Sequence, residues 1–443
     1  MTTPAPTDQI SPFAIDELFF SRTDQKGIIR SGNDVFVRVS RWDEADLVGA
    51  PHNVIRHPDM PRAVFRLLWD TLGAGQPIAA YVKNMARDGA YYWVMAAVVP
   101  WGDGYLSVRM KPTGPLFGAA RAVYADIHAL EQELESAGTP RKEVIDRSLE
   151  ALLAALRDAG FATYRDFMRA ALPSEIRARE EALVAMGDDG EDDALAETSL
   201  FLGRMFDGVG RYEEMHGSLA SGLTAVERFA EDIRLGALNA MLAAAHLEGQ
   251  AGTLSTIADL MGNAARDVAE DAAHLAEVSA PALERLHDLA FRMSLAKMQV
   301  DMARFFELEI ATARGEGAIA ASRTDDLRDL VAWVARETGD IMRVRGELDE
   351  RNRAVRADVL RLIGRLEVLS ALDVAGRIEI ASIPGAGNIA ALFDSVRAQL
   401  VDAADRLTGL LGAMVGCDPA ITTAAVVTAA ERAVVEAEAL IAA

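Results

Sequence analysis

A single cysteine in 443 residues, Cys417, excludes an intrachain disulfide framework and any cysteine-rich metal centre, and it fits a reducing compartment. Basic residues are in deficit. The 45 Lys and Arg against 67 Asp and Glu leave a formal charge of −22, which argues against the clustered cations that nucleic acids and anionic membranes require. No run of about 18 uncharged apolar residues occurs, so no transmembrane helix is expected. The richest stretch, Ala420 to Ala443, is interrupted by Glu431, Arg432, Glu436 and Glu438 and predicts an amphipathic helix. The opening MTTPAPTDQISPFAIDE has neither the basic start nor the apolar core of a signal peptide, and the expected location is the cytoplasm. The seven histidines show no HxxxH or HExxH spacing. P-loop, GxSxG and kinase motifs are also missing. No enzyme is expected.

What is present is apolar side chains, 51% of the chain and enough for real cores, over a length suited to roughly two to four domains. The composition changes near residue 115. Before it, β-branched and aromatic residues alternate with turn signals, Asp88-Gly89 and Asp103-Gly104 standing where hairpin turns would. This predicts a small antiparallel sheet, with short helices between Asn33 and Leu72. After it, Ala, Leu, Glu, Arg and Met dominate at three- and four-residue spacing, predicting helices throughout. The fold class is therefore α+β, an antiparallel sheet with helices followed by an all-α bundle region. The expected segments are 15–114 (the sheet domain), 115–185 (helical signals at 117–136, 141–158 and 162–185), 186–197 (an acidic linker), 198–312 and 319–443. Breaks are expected at Gly315–Gly317 and Pro384–Gly387. The GxGxxA match at Gly385–Ala390 lacks the βαβ context of a dinucleotide site.

The block Pro51–Pro61, PHNVIRHPDMP, stands with Asn33-Asp34-Val35-Phe36, Val82-Lys83-Asn84 and Tyr91-Tyr92-Trp93-Val94. Taken together, these resemble the PAS domain of bacterial aerotaxis receptors from about Phe20 to Thr113. The resemblance implies a cytoplasmic five-stranded fold holding FAD non-covalently, as a reporter of redox or oxygen state. Carried across, the cofactor residues would be Asn33, Arg56, His57, Asp59, Trp69, Lys83 and Asn84, with Trp93 as a second candidate aromatic. Arg56 could serve a pyrophosphate or carboxylate by bidentate hydrogen bonding, and Trp69 or Trp93 could stack on an isoalloxazine. Structural readings stand beside these: an Arg56–Asp59 pair fixing a loop, and core roles for both tryptophans. One departure is that Gly75-Gln76-Pro77 is followed by Ile78, where the family carries Trp. Haem, with His57 as its ligand, and no cofactor at all are the other two occupancies left open.

Ile233–Ala265 shares Ala237-Leu238-Asn239-Ala240, Ala244-Ala245, a Gly-containing turn and Ile257-Ala258-Asp259 with the hairpin tip of chemoreceptor (methyl-accepting chemotaxis protein) signalling domains, which it resembles. The family's charged tip residues are replaced by Ala243, His246 and Leu260-Met261-Gly262. Leu372–Leu400 carries a weaker echo, at Ile378-Glu379, Ala381 and Val396-Arg397. The resemblance implies signalling partners, a chemotaxis coupling protein or a histidine kinase, and dimers of hairpins. Two such hairpins in one chain would allow a bundle to form within the chain itself. A cofactor-free PAS scaffold for protein–protein interaction is the alternative function.

Overall fold

The computed structural model describes residues 5–186, 193–245, 252–315, 321–382, 387–416 and 423–442. Expectations that fall elsewhere, including Cys417 and the turns at 246–251 and 383–386, lie outside the described residues. The chain divides into two compact units: Met1–Phe206 with Ala290–Met342 and Ile421–Ala443, and Asp207–Leu289 with Arg343–Ala420.

The first unit is built on five antiparallel strands, β1 (Phe19–Asp24), β2 (Ile29–Gly32), β3 (Ile78–Met85), β4 (Tyr91–Trp101) and β5 (Gly104–Met110), ordered β2-β1-β5-β4-β3. Helices α1 (Asp34–Ser40), α2 (Glu44–Leu47) and α3 (Arg62–Gly73), with a 3-10 turn at His52–Ile55, fall between β2 and β3 as expected. The β3–β4 turn forms at Asp88-Gly89, where Gly89 takes φ +89°. The β4–β5 turn differs by one residue: Gly102 (φ +55°) and Asp103 form it, and Gly104 opens β5. Gly104 is fixed by proximity, because a Cβ there would lie 1.9 Å from the Thr23 carbonyl oxygen of the paired strand.

Strand sequences such as YYWVMAAVVPW run nearly continuously apolar because both faces of the sheet are covered. One face turns towards α3. Helices α4 (Leu116–Ser136), α5 (Arg141–Asp158) and α6 (Tyr164–Met186) follow the sheet. On the other face, Trp93 meets Phe117 of α4 at 5.5 Å between centroids. Tyr81 donates to Glu175 of α6 at 2.8 Å. Glu175 is fully buried and also accepts from the Thr113 and Gly114 amides, tying the exit of β5 to α6.

The rest of that outer face meets residues between 232 and 304 positions away. These belong to α8 (Gly252–Gly315) and α9 (Ala321–Ala381), whose segments 290–315 and 321–342 lie in this unit. Phe20 packs on Phe306 (4.9 Å), Arg22 pairs with Asp326 (2.9 Å), and Trp101 meets Trp333 (6.2 Å). The boundaries expected at 198–312 and 319–443 therefore do not coincide with the compact units, since residues 290–342 pack on the sheet. Of the expected acidic linker 186–197, Met186 belongs to α6 and α7 (Ala194–Ala245) is helical from Ala194, while residues 187–192 lie outside the described residues.

In the second unit, α7, α8, α9 and α10 (Gly387–Gly416) pool buried side chains into one cluster, among them Leu223, Ile233, Ala240, Ala258, Ala265, Val359, Leu369, Phe393 and Leu407. Small residues at the contacts permit close approach: a Cβ on Gly262 would lie 3.5 Å from that of Ala237. Residues from both stretches read as hairpins, 233–265 and 372–400, thus contribute to a single core. Residues 378–381 are helical, so the strand needed by the GxGxxA reading does not form. The last helix, α11 (Thr423–Ala442), occupies the stretch read as amphipathic.

Candidate functional site

Between α3 and the inner face of the sheet lies a cavity of about 380 Å³, towards the lower end of the ~300–1,000 Å³ usual for small-molecule sites. Helix α3 supplies Phe65, Leu68, Trp69 and Leu72, the i, i+3, i+4, i+7 face of an amphipathic helix. Alternate residues of the strands supply the floor: Ser21 and Thr23, Val82 and Asn84, Ala96 and Val98, then Tyr105, Ser107 and Arg109. The position of α3 is set from outside. The buried carboxylate of Glu131 on α4 accepts from the Arg62 amide (2.8 Å) and the Ala63 amide (3.2 Å), capping the first turn of α3.

Of the sequence-expected residues, Arg56, Trp69 and Asn84 line the cavity. Arg56 donates to the Met60 carbonyl at 2.8 Å and lies 4.0 Å over the Phe65 ring, and burial lowers its pKa to about 10. It makes no pair with Asp59. Trp69 is 43% exposed and sits edge-on to Tyr105 at 5.8 Å, an aromatic lip rather than a core residue. Asn84 is buried, and its Nδ2 has no hydrogen-bond partner.

The other five lie elsewhere. Asn33 is buried between Leu18, Phe20 and α8, accepting from the Phe20 amide and donating to the Leu18 carbonyl and to Glu309, each at 3.1 Å. His57 accepts from the Asp59 amide at 3.1 Å, and burial followed by the nearby Lys83 charge lowers its pKa to about 4, leaving a neutral ring. Asp59 pairs with Lys83 at 2.6 Å, and Lys83 lies 4.7 Å over the Tyr91 ring. Trp93 packs on the outer face against α4. Ile78, the departure from the family pattern, is fully buried opposite Val98. Among the described residues no cluster suited to a metal ion occurs, and no helix is long and apolar enough to cross a membrane.

Three functional candidates escape the sequence reading: Arg109, His52 and Ser21. Arg109 is 3% exposed, and its Nη2 lies 2.9 Å from Ser21 Oγ and 2.7 Å from His52 Nε2. Burial and then the adjacent Arg109 charge push the His52 pKa down to about 3, so the imidazole is neutral and Nε2 accepts. Burial alone lowers Arg109, to about 10, which leaves it charged at neutral pH. The signal for Arg109 is β5 itself, where Ser107 and Arg109 alternate with Leu106, Val108 and Met110, polar on one face and apolar on the other.

Residues 31–104 match the family model described as the PAS fold. The chain is 40% identical over 131 residues to the aerotaxis receptor of Escherichia coli (strain K12), a match covering 28% of this chain and 26% of the receptor. It is 27% identical over 128 residues to the nitrogen fixation regulatory protein of Klebsiella pneumoniae, covering 28% and 24%. The chain thus spans about a quarter of the length of the curated relatives it matches. With its five-stranded antiparallel sheet and flanking helices, the N-terminal region is a PAS domain.

Proposed function

We propose that this protein is a non-enzymatic sensor of redox or oxygen state, in which the PAS cavity holds a flavin, FAD, and the helices carry the output. The observation that carries this reading is the placement of β1. On its inner face Ser21 touches the cavity residue Arg109 (2.9 Å). On its outer face the neighbours Phe20 and Arg22 touch α8 and α9, at 4.9 Å and 2.9 Å. A change of charge in the cavity therefore reaches the helix pair through one residue of strand. Both helices continue into the second unit's four-helix core, a packed interface of the kind that converts small shifts into alternative arrangements.

The cavity suits such a group. Phe65, Trp69 and Tyr105 offer aromatic walls, while Asn84 Nδ2 and Ser107 Oγ are buried without partners and match the carbonyl edge of a heteroaromatic ring. Bound, a flavin supplies reversible electron uptake. The chain's own part is to orient the ring by Asn84 and Ser107, to exclude water with α3 and Trp69, and to answer charge through Arg109 and Ser21. The output partner is a signalling protein, such as a chemotaxis coupling protein or a histidine kinase. Exposed Leu235, Leu238, Leu242 and Leu260 on α7 and α8 favour a protein partner.

The test is an absorption spectrum of the purified full chain, with identification of any released cofactor. Flavin bands, weakened at least tenfold in occupancy by Arg56→Ala or Trp69→Ala, are the expected outcome. A protein that stays colourless after incubation with FAD and with haem would replace this reading by a PAS scaffold that only binds partners.

A further inference from the structure

The cavity's charge is opposite to that of the chain. Its lining includes Lys26, Arg56 and Arg109 and no aspartate or glutamate, in a protein of formal charge −22. Arg109 is the decisive member. Among the described residues it has no carboxylate partner; its contacts are the Ser21 hydroxyl, the neutral His52 ring, the Ser107 carbonyl at 3.3 Å, and the faces of Phe36 and Phe19 at 5.6 and 5.9 Å. A buried guanidinium held only by neutral groups is costly, and elsewhere in this fold such charges are matched: Arg179, similarly buried, pairs with Asp301 at 2.9 Å. Beside Arg109, the partnerless Ser107 Oγ lines the same floor, and Asn84 Nδ2 adds a second unmatched group.

We infer that Arg109 is an anion-binding residue at the cavity floor, and that the natural ligand is a planar aromatic molecule whose buried end carries, or acquires, negative charge. The ring would lie among Phe65, Trp69 and Tyr105, and its acidic edge would accept from Arg109, with Ser107 and Asn84 completing the polar contacts. Arg56 and Lys26 provide further positive charge along the lining. The inference rests on the cavity being the ligand site, but it does not require that the ligand be a flavin.

The test uses the full chain and two dyes, anilinonaphthalene sulfonate and its uncharged parent N-phenylnaphthylamine, titrated by fluorescence into wild type, Arg109→Met and Arg109→Lys. FAD retention is measured in parallel. The wild type should bind the sulfonate about tenfold or more tightly than the parent, the worth of one charge-assisted hydrogen bond. Arg109→Met should abolish that preference, and Arg109→Lys should keep most of it. Arg109 has only neutral contacts, so its removal strands no buried carboxylate, and Arg109→Met is expected to fold and to melt no lower than wild type without ligand. An anion preference that depends on Arg109, in a protein that never retains FAD, would remove the flavin from the proposed function and leave this inference standing. Equal affinity for both dyes in the wild type would overturn it, whether or not FAD binds and whether or not the variant folds. A preference that survives Arg109→Met would overturn it too.

Discussion

The sheet unit and the four-helix core solve the packing problem in opposite ways. Around the sheet the largest buried side chains are aromatic, Tyr81, Tyr92, Phe19 and Phe36, and three further rings, Phe65, Trp69 and Tyr105, wall the polar-floored cavity between sheet and α3. In the helical core, alanines such as Ala237, Ala240, Ala258, Ala265 and Ala272 alternate with Leu and Val, and Phe393 is one of the few aromatics in the cluster. Large rings at fixed angles define a receptor site. Small side chains spread the same burial over many modest contacts, each a fraction of what one aromatic supplies.

Phe393 is the sharpest way to break that contrast. It fills the space beside Gly376, where a Cβ would stand 2.2 Å from its ring. Phe393→Ala should cost about 3–5 kcal/mol, read by denaturant unfolding. A loss under about 1 kcal/mol would mean that even the aromatic in this core is dispensable. On the sheet side, Gly104→Ala drives a methyl into the Thr23 carbonyl at 1.9 Å, and should cost about 3 kcal/mol while loosening the pairing of β1 with β5. Dye binding to the cavity should fall with it. Intact binding would show that β1 and the cavity are less tightly joined than their contacts imply.

Glu131→Gln weakens the cap on α3 without opening a void, and should cost about 1–2 kcal/mol. It should raise ligand dissociation constants more than it lowers the melting temperature, because α3 forms one wall of the cavity. The smallest expected effect depends on pH. Burial and the neighbouring Asp34 carboxylate push the Glu309 pKa up to about 7 from 4.5, against the opposing charge of Arg323. A raised carboxyl stabilises the fold below its unfolded pKa, and that contribution is lost as pH rises through about 7. Glu309→Gln, which keeps the hydrogen bond to Asn33, should therefore be the more stable protein above pH 7 by on the order of 1 kcal/mol, with a flatter stability profile between about pH 4.5 and 7. Parallel profiles for the two proteins would remove Glu309 as the titrating group.

The sequence is informative where chemistry is local. Helix limits after residue 115 follow from Pro140, the Gly-bearing breaks and the 3.6-residue period, and the PAS block around RHPDMP carries enough special residues to be read directly. It is silent where distant segments meet. That Phe20 and Arg22 would find partners on α8 and α9 is written in no local pattern, because a near-continuous apolar strand says only that both faces are covered. Asn33 and His57 sit in the family block yet turn away from the cavity, whereas Arg109 sits in an ordinary strand and faces it. The period of two in β5 placed Arg109 opposite Val108, but an arginine at a strand end reads as a solvent-facing residue until the inner face is known to be closed.

The covering of the sheet by residues 290–342 has a consequence for biosynthesis. The last strand is complete at Met110, while the helical segments packed in the same unit reach as far as Met342. At ~5–20 residues per second, the ribosome takes roughly 10–50 s to deliver them. Throughout that interval Phe20, Leu106, Val108 and Trp101 form an apolar surface awaiting a partner still being synthesised. The nascent chain is then a natural client for a holding chaperone, and slow codons between the sheet and α9 would lengthen its exposure.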